Sequence, residues 1–240
     1  MEEAKVVIIS GASRGIGRAL ALNCARLGWN VVVNYRANDR QAEETIGEIN
    51  ALGGRSISVK ADVSRSDDVE ALIGGSISHF GRIDAVINNA GVGAIVRLED
   101  LTGSSFETTL RINLVSAFLV SQAAIPHMKQ RGGRLIFMSS GAARSGGRIS
   151  AAYAASKAGL EGLMHYYAAN LLGHRITANA IAPSLIKSDM VNEMTLPPLD
   201  QLPLGRLGQP DEIWPAVRMI LETEYLTGQT VHINAGRYMS

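Results

Sequence analysis

Tyr153 and Lys157 are the two residues whose types and spacing point most directly to chemistry. They stand four residues apart in a stretch with a helical pattern, so a phenol and an ammonium group share one helix face. A free tyrosine ionises at about pH 10, and a neighbouring cation that lowers its pKa would make it usable in acid–base catalysis at neutral pH. Because this spacing is common on solvated helices, it indicates a catalytic pair only if the rest of the chain builds a site around it.

The elements that must position this pair are short strands that alternate with helical patterns. Strands are predicted at residues 6–9, 31–33, 56–59, 85–87, 134–138, 177–181 and 230–233, and helices at 15–28, 39–52, 66–80, 104–130, 151–172 and 210–222. This alternation predicts a doubly wound, Rossmann-type α/β fold, with a seven-stranded, mostly parallel sheet and helices on both faces. We expect one domain over residues 1–240, with ligands beyond the carboxyl ends of the strands.

Composition limits the classes of partner. The 240 residues are 46% hydrophobic and carry a formal net charge of +1, with no long block of like charges. These values favour a small-molecule partner and give no support to nucleic-acid or membrane-surface binding. The lone Cys24 excludes a disulfide framework, and no histidine has a second ligand at metal spacing, so no metal is expected. The charged start fits neither a secretory signal nor a membrane span, so we expect a cytoplasmic protein.

A glycine-rich turn follows the first predicted strand and opens the first predicted helix. Its glycines have the spacing G-x-x-x-G-x-G, from Gly11 to Gly17. Glycines let the backbone approach a pyrophosphate closely, and the helix N-terminus offers N–H groups to its negative charge. The turn therefore predicts a dinucleotide site, with contacts from Gly11, Ser13, Arg14, Gly15, Ile16 and Gly17.

The end of the second predicted strand indicates which dinucleotide binds. NAD sites carry an acidic residue there for the ribose hydroxyls, whereas NADP sites use arginine. This strand ends in Asn34-Tyr35-Arg36, and the nearest acid, Asp39, lies at the start of the next helix. Arg14 and Arg36 could together hold a 2′-phosphate, although both could also be ordinary surface arginines. We expect NADP(H) rather than NAD(H).

Taken with further motifs, the chain resembles the short-chain dehydrogenase/reductase family over essentially its whole length. The matching motifs are Asp62-Val63, the signature Asn88-Asn89-Ala90-Gly91, Asn113, Ser139-Ser140 and the pair Tyr153/Lys157. The family's usual gap to the tyrosine selects Ser140 over Ser139. Singly, each motif has a structural alternative: Asp62 could cap a helix, Asn113 could be an ordinary buried asparagine, and Ser140 could stabilise a turn.

The resemblance implies a catalytic tetrad of Asn113, Ser140, Tyr153 and Lys157. In ketone reduction Tyr153 would donate the proton, Ser140 would steady the carbonyl and Asn113 would hold a water. Lys157 would lower the pKa of the phenol and bind the nicotinamide ribose. The remaining cofactor contacts implied by the resemblance are Asn34, Arg36, Asp62, Val63, Asn89, Ala90, Gly91, Tyr153, Lys157, Pro183 and Ser188.

Several features of the C-terminal half narrow the expectation within the family. The stretches 206–213 and 225–236 look most like those of 3-oxoacyl-[acyl-carrier-protein] reductases. Ser184 replaces the family's usual glycine after Pro183, so we expect the loop to follow a different path. The substrate loop, about 184–206, carries apolar residues that suit an acyl chain. Arg131 aligns with one basic position expected at the site mouth for an acidic carrier protein, and the other position falls at His174, beside Arg175, so the basic patch is diluted.

The leading hypothesis is an NADPH-dependent reductase of a 3-oxoacyl thioester that binds neither nucleic acid nor a membrane. The alternatives are a dehydrogenase of simple alcohols, sugars or cyclic ketones, and a nucleotide-sensing protein without chemistry. The predicted helices 104–130 and 151–172 carry apolar residues on more than one face, which indicates an oligomer interface. By resemblance we expect a homotetramer.

Overall fold

The computed structural model describes residues 3–192, 194, 196 and 198–239. Its strands are β1 (Val6–Ile9), β2 (Asn30–Tyr35), β3 (Ser56–Lys60), β4 (Ala85–Asn88), β5 (Gly133–Met138), β6 (Ile176–Pro183) and β7 (Thr230–Ile233). Its α-helices are α1 (Gly15–Arg26), α2 (Asp39–Ala51), α3 (Ser66–Phe80), α4 (Gly103–Leu110), α5 (Ser116–Met128), α6 (Ala142–Ser145), α7 (Ala151–Asn170), α8 (Asp189–Asn192) and α9 (Trp214–Glu222).

All seven strands form one sheet in the order β3-β2-β1-β4-β5-β6-β7. Every pairing between neighbours is parallel. The order reverses between β1 and β4, so the loops that follow these two strands open a crevice at the carboxyl edge of the sheet. The predicted doubly wound, Rossmann-type fold is confirmed, and the sheet is fully rather than mostly parallel.

Helices cover both faces of the sheet, which explains why the central strands are apolar at successive positions. Along β1, Val6 and Ile8 belong to one core cluster and Val7 and Ile9 to the other, because neighbouring side chains of a strand point to opposite faces. The first cluster packs under α3, α5 and α7, and the second under α1 and α9. Both layers hold the sheet rigid beneath the crevice.

The predicted helix 104–130 is wrong in one respect, because it is not a single α-helix. A π-helical turn, Arg111–Val115, separates α4 from α5. Such turns are rare and often accompany functional residues, and this one contains Asn113. The predicted helix 210–222 begins as a 3₁₀ turn, Pro210–Ile213, before α9.

The continuous helical stretch Gly103–Met128 is long and apolar enough to cross a membrane by length and composition alone. Its best window has a mean hydropathy of 1.2, and 39% of that window is buried inside the protein. Ala117, Val120 and Ala124 of this stretch belong to the core cluster against the sheet. Core helices pass the same test, so the stretch is weak evidence of a membrane span.

Candidate active site

A cleft of about 990 Å³ lies in the crevice at the carboxyl edge of the sheet. It runs from the glycine turn after β1 to the N-terminal turn of α7 and the loop after β6. The predicted residues that line it are Gly11, Ser13, Arg14, Gly15, Ile16, Gly17, Asn34, Arg36, Asp62, Val63, Asn89, Ala90, Gly91, Ser140, Tyr153, Lys157, Pro183 and Ser188. Asn113 lies behind the wall of the cleft. The fold therefore brings the predicted residues of six strand ends together.

Tyr153 and Lys157 lie on the first two turns of α7. The helix starts where Ser150 caps it, because the Ser150 hydroxyl accepts a hydrogen bond from the Tyr153 N–H at 3.2 Å. Both side chains are buried, with 7% of Tyr153 and 5% of Lys157 exposed. The Lys157 Nζ donates to the Met138 carbonyl at 2.8 Å and lies 5.6 Å from the centre of the Tyr153 ring.

Burial dominates the electrostatics of this pair. Burial raises the pKa of Tyr153, and a hydrogen bond with Ser140 acts in the opposite direction without overcoming it. The net shift of the phenol pKa in the ligand-free chain is therefore upward, and the lowering effect of Lys157 stays a prediction. Burial also lowers the pKa of Lys157 to about 8. The physical reason in both cases is that a buried site disfavours the charged form of each group.

Adjacent serines at the end of β5 have different surroundings. The Ser140 side chain is near enough to Tyr153 to act on the pKa of the phenol, and its hydroxyl accepts from the Ala142 N–H at 3.2 Å. The Ser139 hydroxyl is directed toward α7, where it lies 2.9 Å from the Glu161 carboxylate and 3.2 Å from the Lys157 carbonyl. Ser140 is thus the serine that meets the phenol, in agreement with the motif spacing.

The Asn113 side chain is fully engaged with its own protein. Its amide nitrogen donates to the Val92 carbonyl at 2.9 Å and to the Ser156 hydroxyl at 3.0 Å, and its oxygen accepts from the Val92 N–H at 2.8 Å. Only one lone pair of the amide oxygen stays available to a water. Asn113 therefore clamps the chain after β4 against α7, and its role toward a water stays a prediction.

The glycine turn is shaped for close approach of a ligand. Gly11 and Gly15 have positive φ values of 64° and 56°. A Cβ at Gly17 would lie 2.3 Å from the Gly11 carbonyl oxygen, so this position accepts only glycine. No side chain caps the start of α1 at Arg14, which leaves the first N–H groups of the helix open to the cleft. This cradle fits the pyrophosphate of a dinucleotide.

Two residues predicted to contact the cofactor, Asn34 and Asn89, form hydrogen bonds with the backbone of the glycine turn. The Asn34 oxygen accepts from the Gly11 N–H at 3.3 Å, and its nitrogen donates to the Ala61 carbonyl at 3.0 Å. The Asn89 nitrogen donates to the carbonyls of Ser10 and Gly11 at 2.9 and 3.1 Å. These amides join the ends of β1, β2, β3 and β4, so they hold the turn in shape while lining the cleft.

The predicted phosphate-binding arginines are exposed and paired with acids. Arg14 lies 2.8 Å from Asp189 of α8, and Arg36 lies 3.9 Å from Asp62. Desolvation acts to raise the pKa of Asp62, but hydrogen bonds from Ser64 and the charge of Arg36 leave it below its usual range. A third cation at this end of the cleft, Arg40, was not predicted from the sequence.

The loop after β6 has one left-handed residue beside Ser184, and whether its path differs from that of the family stays a prediction. The left-handed backbone falls on Leu185, with a φ of 53°, whereas the Ser184 N–H donates to the Ile233 carbonyl at 3.0 Å. Ser188 caps α8, since its hydroxyl accepts from the Val191 N–H at 3.3 Å. Of the apolar residues expected to line the substrate loop, the cleft is lined by Met190, Val191, Met194 and Leu196.

Leu199 and Leu202 of the same loop do not line the cleft. The leucine at 199 is exposed, and the one at 202 is buried elsewhere. Residues 193, 195 and 197 of the predicted substrate loop lie outside the described residues. Sequence reasoning missed Arg148, Ile149, Arg237 and Tyr238, which also line the cleft. Nothing in the sequence indicates that Tyr238 lines the cleft, because only the fold brings the C-terminal segment against Gly141.

Within a single chain, the basic residues expected at the mouth of the site do not lie near the cleft. Arg131 precedes β5, and His174 and Arg175 precede β6, so all three lie at the amino edge of the sheet, opposite the cleft. The Arg175 carbonyl accepts from the Gly133 N–H at 3.1 Å, and Arg131 lies 3.5 Å from the Glu3 carboxylate. The expectation is wrong for one copy of the chain, because loops that lead from helices into parallel strands meet at the amino edge.

Comparison with known proteins agrees with this geometry. A profile of the family described as short chain dehydrogenase matches residues 5–197. The chain belongs to the short-chain dehydrogenase family, and it is an oxidoreductase acting on CH–OH or C=O groups. Among solved structures, a short-chain dehydrogenase/reductase from Serratia marcescens is similar, with a TM-score of 0.90 and 32% identity over 98% of each chain.

Curated relatives point to a narrower group. The chain is 39% identical to the 3-oxoacyl-[acyl-carrier-protein] reductase FabG of Staphylococcus aureus, over 100% of both chains. It is 37% identical to the 3-oxoacyl-[acyl-carrier-protein] reductase of Synechocystis, over 98% of each. A hydroxynaphthalene reductase-like protein Arp2 of Metarhizium brunneum is 32% identical, over 97% of this chain and 94% of that protein.

Proposed function

We propose that the chain uses NADPH to reduce the ketone of a 3-oxoacyl thioester to a secondary alcohol. The observation that carries the proposal is the meeting of the Ser140 and Tyr153 side chains beside buried Lys157, at one end of a cleft whose other end is a dinucleotide cradle. The similarity to 3-oxoacyl-[acyl-carrier-protein] reductases over the full chain supports the choice of substrate.

The chemistry follows from what ketone reduction requires. A nicotinamide cofactor, which the glycine turn and Lys157 would hold, would supply a hydride to the carbonyl carbon, and negative charge would develop on the carbonyl oxygen. Tyr153 donates its proton to this oxygen, and the Ser140 hydroxyl donates a hydrogen bond to it. Because Tyr153 and Lys157 are almost fully buried, few waters compete for the oxygen at this position. The raised pKa of Tyr153 keeps the phenol protonated, which is the form that an acid needs.

The substrate end of the cleft is apolar, which supports an acyl chain. Ala142, Ile149 and Tyr153 form a small cluster with Met190 and Met194 against it. Methionine side chains adapt to varied apolar shapes. The hydroxynaphthalene reductase-like relative supports the alternative that a cyclic ketone is the substrate. A pure nucleotide sensor stays the weakest candidate, since it has no need of an acid beside the cradle.

Three arginines at the other end of the cleft support NADPH over NADH. Arg14, Arg36 and Arg40 line the region beyond the end of β2, where a 2′-phosphate would lie. Each is partly neutralised by a neighbouring acid, Arg40 through Glu44 at 3.4 Å. All three are exposed, so their acids can be exchanged for a phosphate at small cost.

We further propose that the chain works as a cytoplasmic homotetramer on a carrier-bound or CoA-bound substrate. Phe118 of α5 is 42% exposed and Tyr166 of α7 is 63% exposed, and both lie on faces directed away from the sheet. Apolar surface of this kind supports association with another copy. Light scattering tests the proposal, and a monomeric mass at micromolar concentration contradicts it. Arg131 and Arg175 lie opposite the cleft of their own chain. They could therefore bind a carrier protein at a cleft only if that cleft belongs to a second copy of the chain.

One assay separates the candidate functions. Oxidation of NADPH is followed by its loss of absorbance with acetoacetyl-CoA, acetoacetyl-carrier protein and a panel of simple and cyclic ketones. We expect the thioesters to give the highest kcat/KM, and Tyr153→Phe to bind NADPH while losing turnover by roughly a hundredfold or more. Faster turnover of a cyclic ketone supports the second candidate. Tight NADPH binding with no turnover on any ketone supports the sensor.

A further inference from the structure

Glu161 is a buried carboxylate that the proposed mechanism does not use. It lies on α7 one turn after Lys157, and only 6% of its side chain is exposed. Its two oxygens have separate partners: Oε1 accepts from the Ser139 hydroxyl at 2.9 Å, and Oε2 accepts from the Arg144 Nε at 3.0 Å. Burying an ionised carboxylate is unfavourable, so its presence calls for a reason.

The two partners stand on either side of Ser140 in the chain. Ser139 is the residue before it, at the end of β5, and Arg144 is four residues after it, in α6. Glu161 therefore fixes both ends of the segment 139–144 to α7, the helix that carries Tyr153. The Ser139 hydroxyl also lies 3.2 Å from the Lys157 carbonyl. Ser139 therefore contacts α7 at Lys157 as well, between Tyr153 and Glu161.

The C-terminal segment closes the remaining side of this segment. Tyr238 packs on Gly141, since a Cβ at Gly141 would lie 2.6 Å from the Tyr238 ring. The Tyr238 hydroxyl is 2.8 Å from the His232 Nδ1, which anchors it to β7. The charge of Glu161 contributes, after burial, to raising the pKa of Tyr238, so the ring lies near the carboxylate. Segment 139–144 is thus held from α7 and from the C-terminus.

We propose that Glu161 is a positioning residue that holds the Ser140 hydroxyl against Tyr153 in the geometry needed for proton transfer. The inference rests on the proposed function, because it concerns the same two hydroxyls. A plain structural tie between a helix and a strand needs no buried charge, since apolar pairs of similar volume do this equally well. A carboxylate whose two oxygens bind the residues on either side of Ser140 instead restricts the position of that serine.

Four variants test the inference: Ser139→Ala, Glu161→Gln, Arg144→Met and the double variant Ser139→Ala/Glu161→Leu. The double variant replaces both buried partners with apolar groups, which removes the unpaired polar group that a single change leaves behind. Met164→Val serves as the matched control, because Met164 is fully buried on the same helix but belongs to the apolar core. For each protein we measure kcat per NADPH-binding site, the ketone KM, the NADPH Kd and the Tm.

A positioning role predicts a loss of kcat at nearly constant binding. We expect kcat per binding site to fall roughly tenfold to a hundredfold in Ser139→Ala and Glu161→Gln, with ketone KM and NADPH Kd within about threefold. We expect the double variant to recover Tm but not kcat, and Met164→Val to lower Tm without lowering kcat per site. A kcat per site within twofold of the parent in all four variants overturns the inference.

A second readout does not depend on turnover. In crystal structures of the parent and the double variant, we expect the Ser140 hydroxyl to move from Tyr153 by about 1 Å, a displacement large enough to affect catalysis. Superposition of the two hydroxyls in both structures refutes the inference even if the Glu161 single variants fail to fold. If the parent reduces no ketone, the proposed function fails, and the displacement alone decides whether Glu161 positions Ser140.

Discussion

Lys157 is predicted to lower the stability of the ligand-free protein while serving its activity. Burial lowers its pKa from 10.5 to about 8, and each pKa unit corresponds to about 1.4 kcal/mol. Keeping the ammonium charged inside the folded chain at neutral pH therefore costs about 3 kcal/mol. Lys157→Met removes this cost but leaves the Met138 carbonyl without its donor, a loss of about 1 kcal/mol.

The net effect of Lys157→Met is a stabilisation of about 2 kcal/mol, or a rise in Tm of roughly 4–8 °C for a chain of this size. Scanning calorimetry without cofactor at pH 7 measures it. Lys129→Met is the matched control: Lys129 is an exposed lysine, and we expect its loss to change stability by less than about 0.5 kcal/mol. The stabilised variant should lose turnover and bind NADPH more weakly, because the same ammonium serves the site.

The pH dependence gives the sharper test of the same reasoning. Between pH 8 and 10.5 the unfolded lysine holds a proton that the folded one has lost, so the parent gains stability with pH through this window. The variant has no such group, and the other titrating groups are common to both proteins. The stability advantage of the variant should therefore be full below pH 8, fall by about 3 kcal/mol as the pH rises through the window, and reverse sign before pH 10.5, because the lost hydrogen bond to Met138 remains. A less stable variant at pH 7, or a difference that ignores pH, refutes the reasoning.

Three further predictions concern the cofactor end of the cleft and the chemistry. Gly17→Ala puts a Cβ 2.3 Å from the Gly11 carbonyl oxygen, so it should weaken NADPH binding and lower Tm. The control Gly47→Ala has open space around its Cβ on α2 and should stabilise the protein by about 0.5–1 kcal/mol. Calorimetry measures Tm for both variants, and titration measures their NADPH binding. Asp189→Asn frees Arg14 and should tighten NADPH binding severalfold without changing NADH binding; equal effects on both contradict it. EDTA should leave turnover unchanged, and activity restored only by a divalent ion contradicts this.

The strands could be predicted to within two residues at each end because the central ones are apolar runs buried on both faces, and the edge strands β3 and β7 still carry β-branched residues. A buried parallel strand is a continuous apolar run, and β1 and β7 match their predicted ranges. The π-turn at Arg111–Val115 could not be predicted, because its residues carry no signal that separates it from an α-helix. Within this turn, Asn113 bonds Val92, which is 21 residues away, and a local sequence pattern does not show such a contact.

The motifs located the candidate site, but they did not separate residues that touch a ligand from residues that hold the framework. Asn34 and Asn89 are short polar residues at strand ends, which is what a ligand contact looks like in sequence. Their amides bond backbone groups just beyond the ends of other strands, up to 79 residues away, while both residues also line the cleft. Arg131 and Arg175 could have been assigned to the amino edge from element order alone, because each lies between a helix and the strand that follows it.

The raised pKa of Tyr153 bears on the direction in which the enzyme works best. Reduction needs the neutral phenol as an acid, whereas oxidation of the alcohol needs the phenolate as a base. Since burial keeps the phenol protonated, the initial rate of reduction should be nearly flat between pH 6 and 8, and that of oxidation should rise across the same interval. Above about pH 8 Lys157 loses its charge, so the rise in oxidation should level off there. An oxidation rate that peaks at or below neutral pH would mean that the phenol ionises more easily than its burial allows.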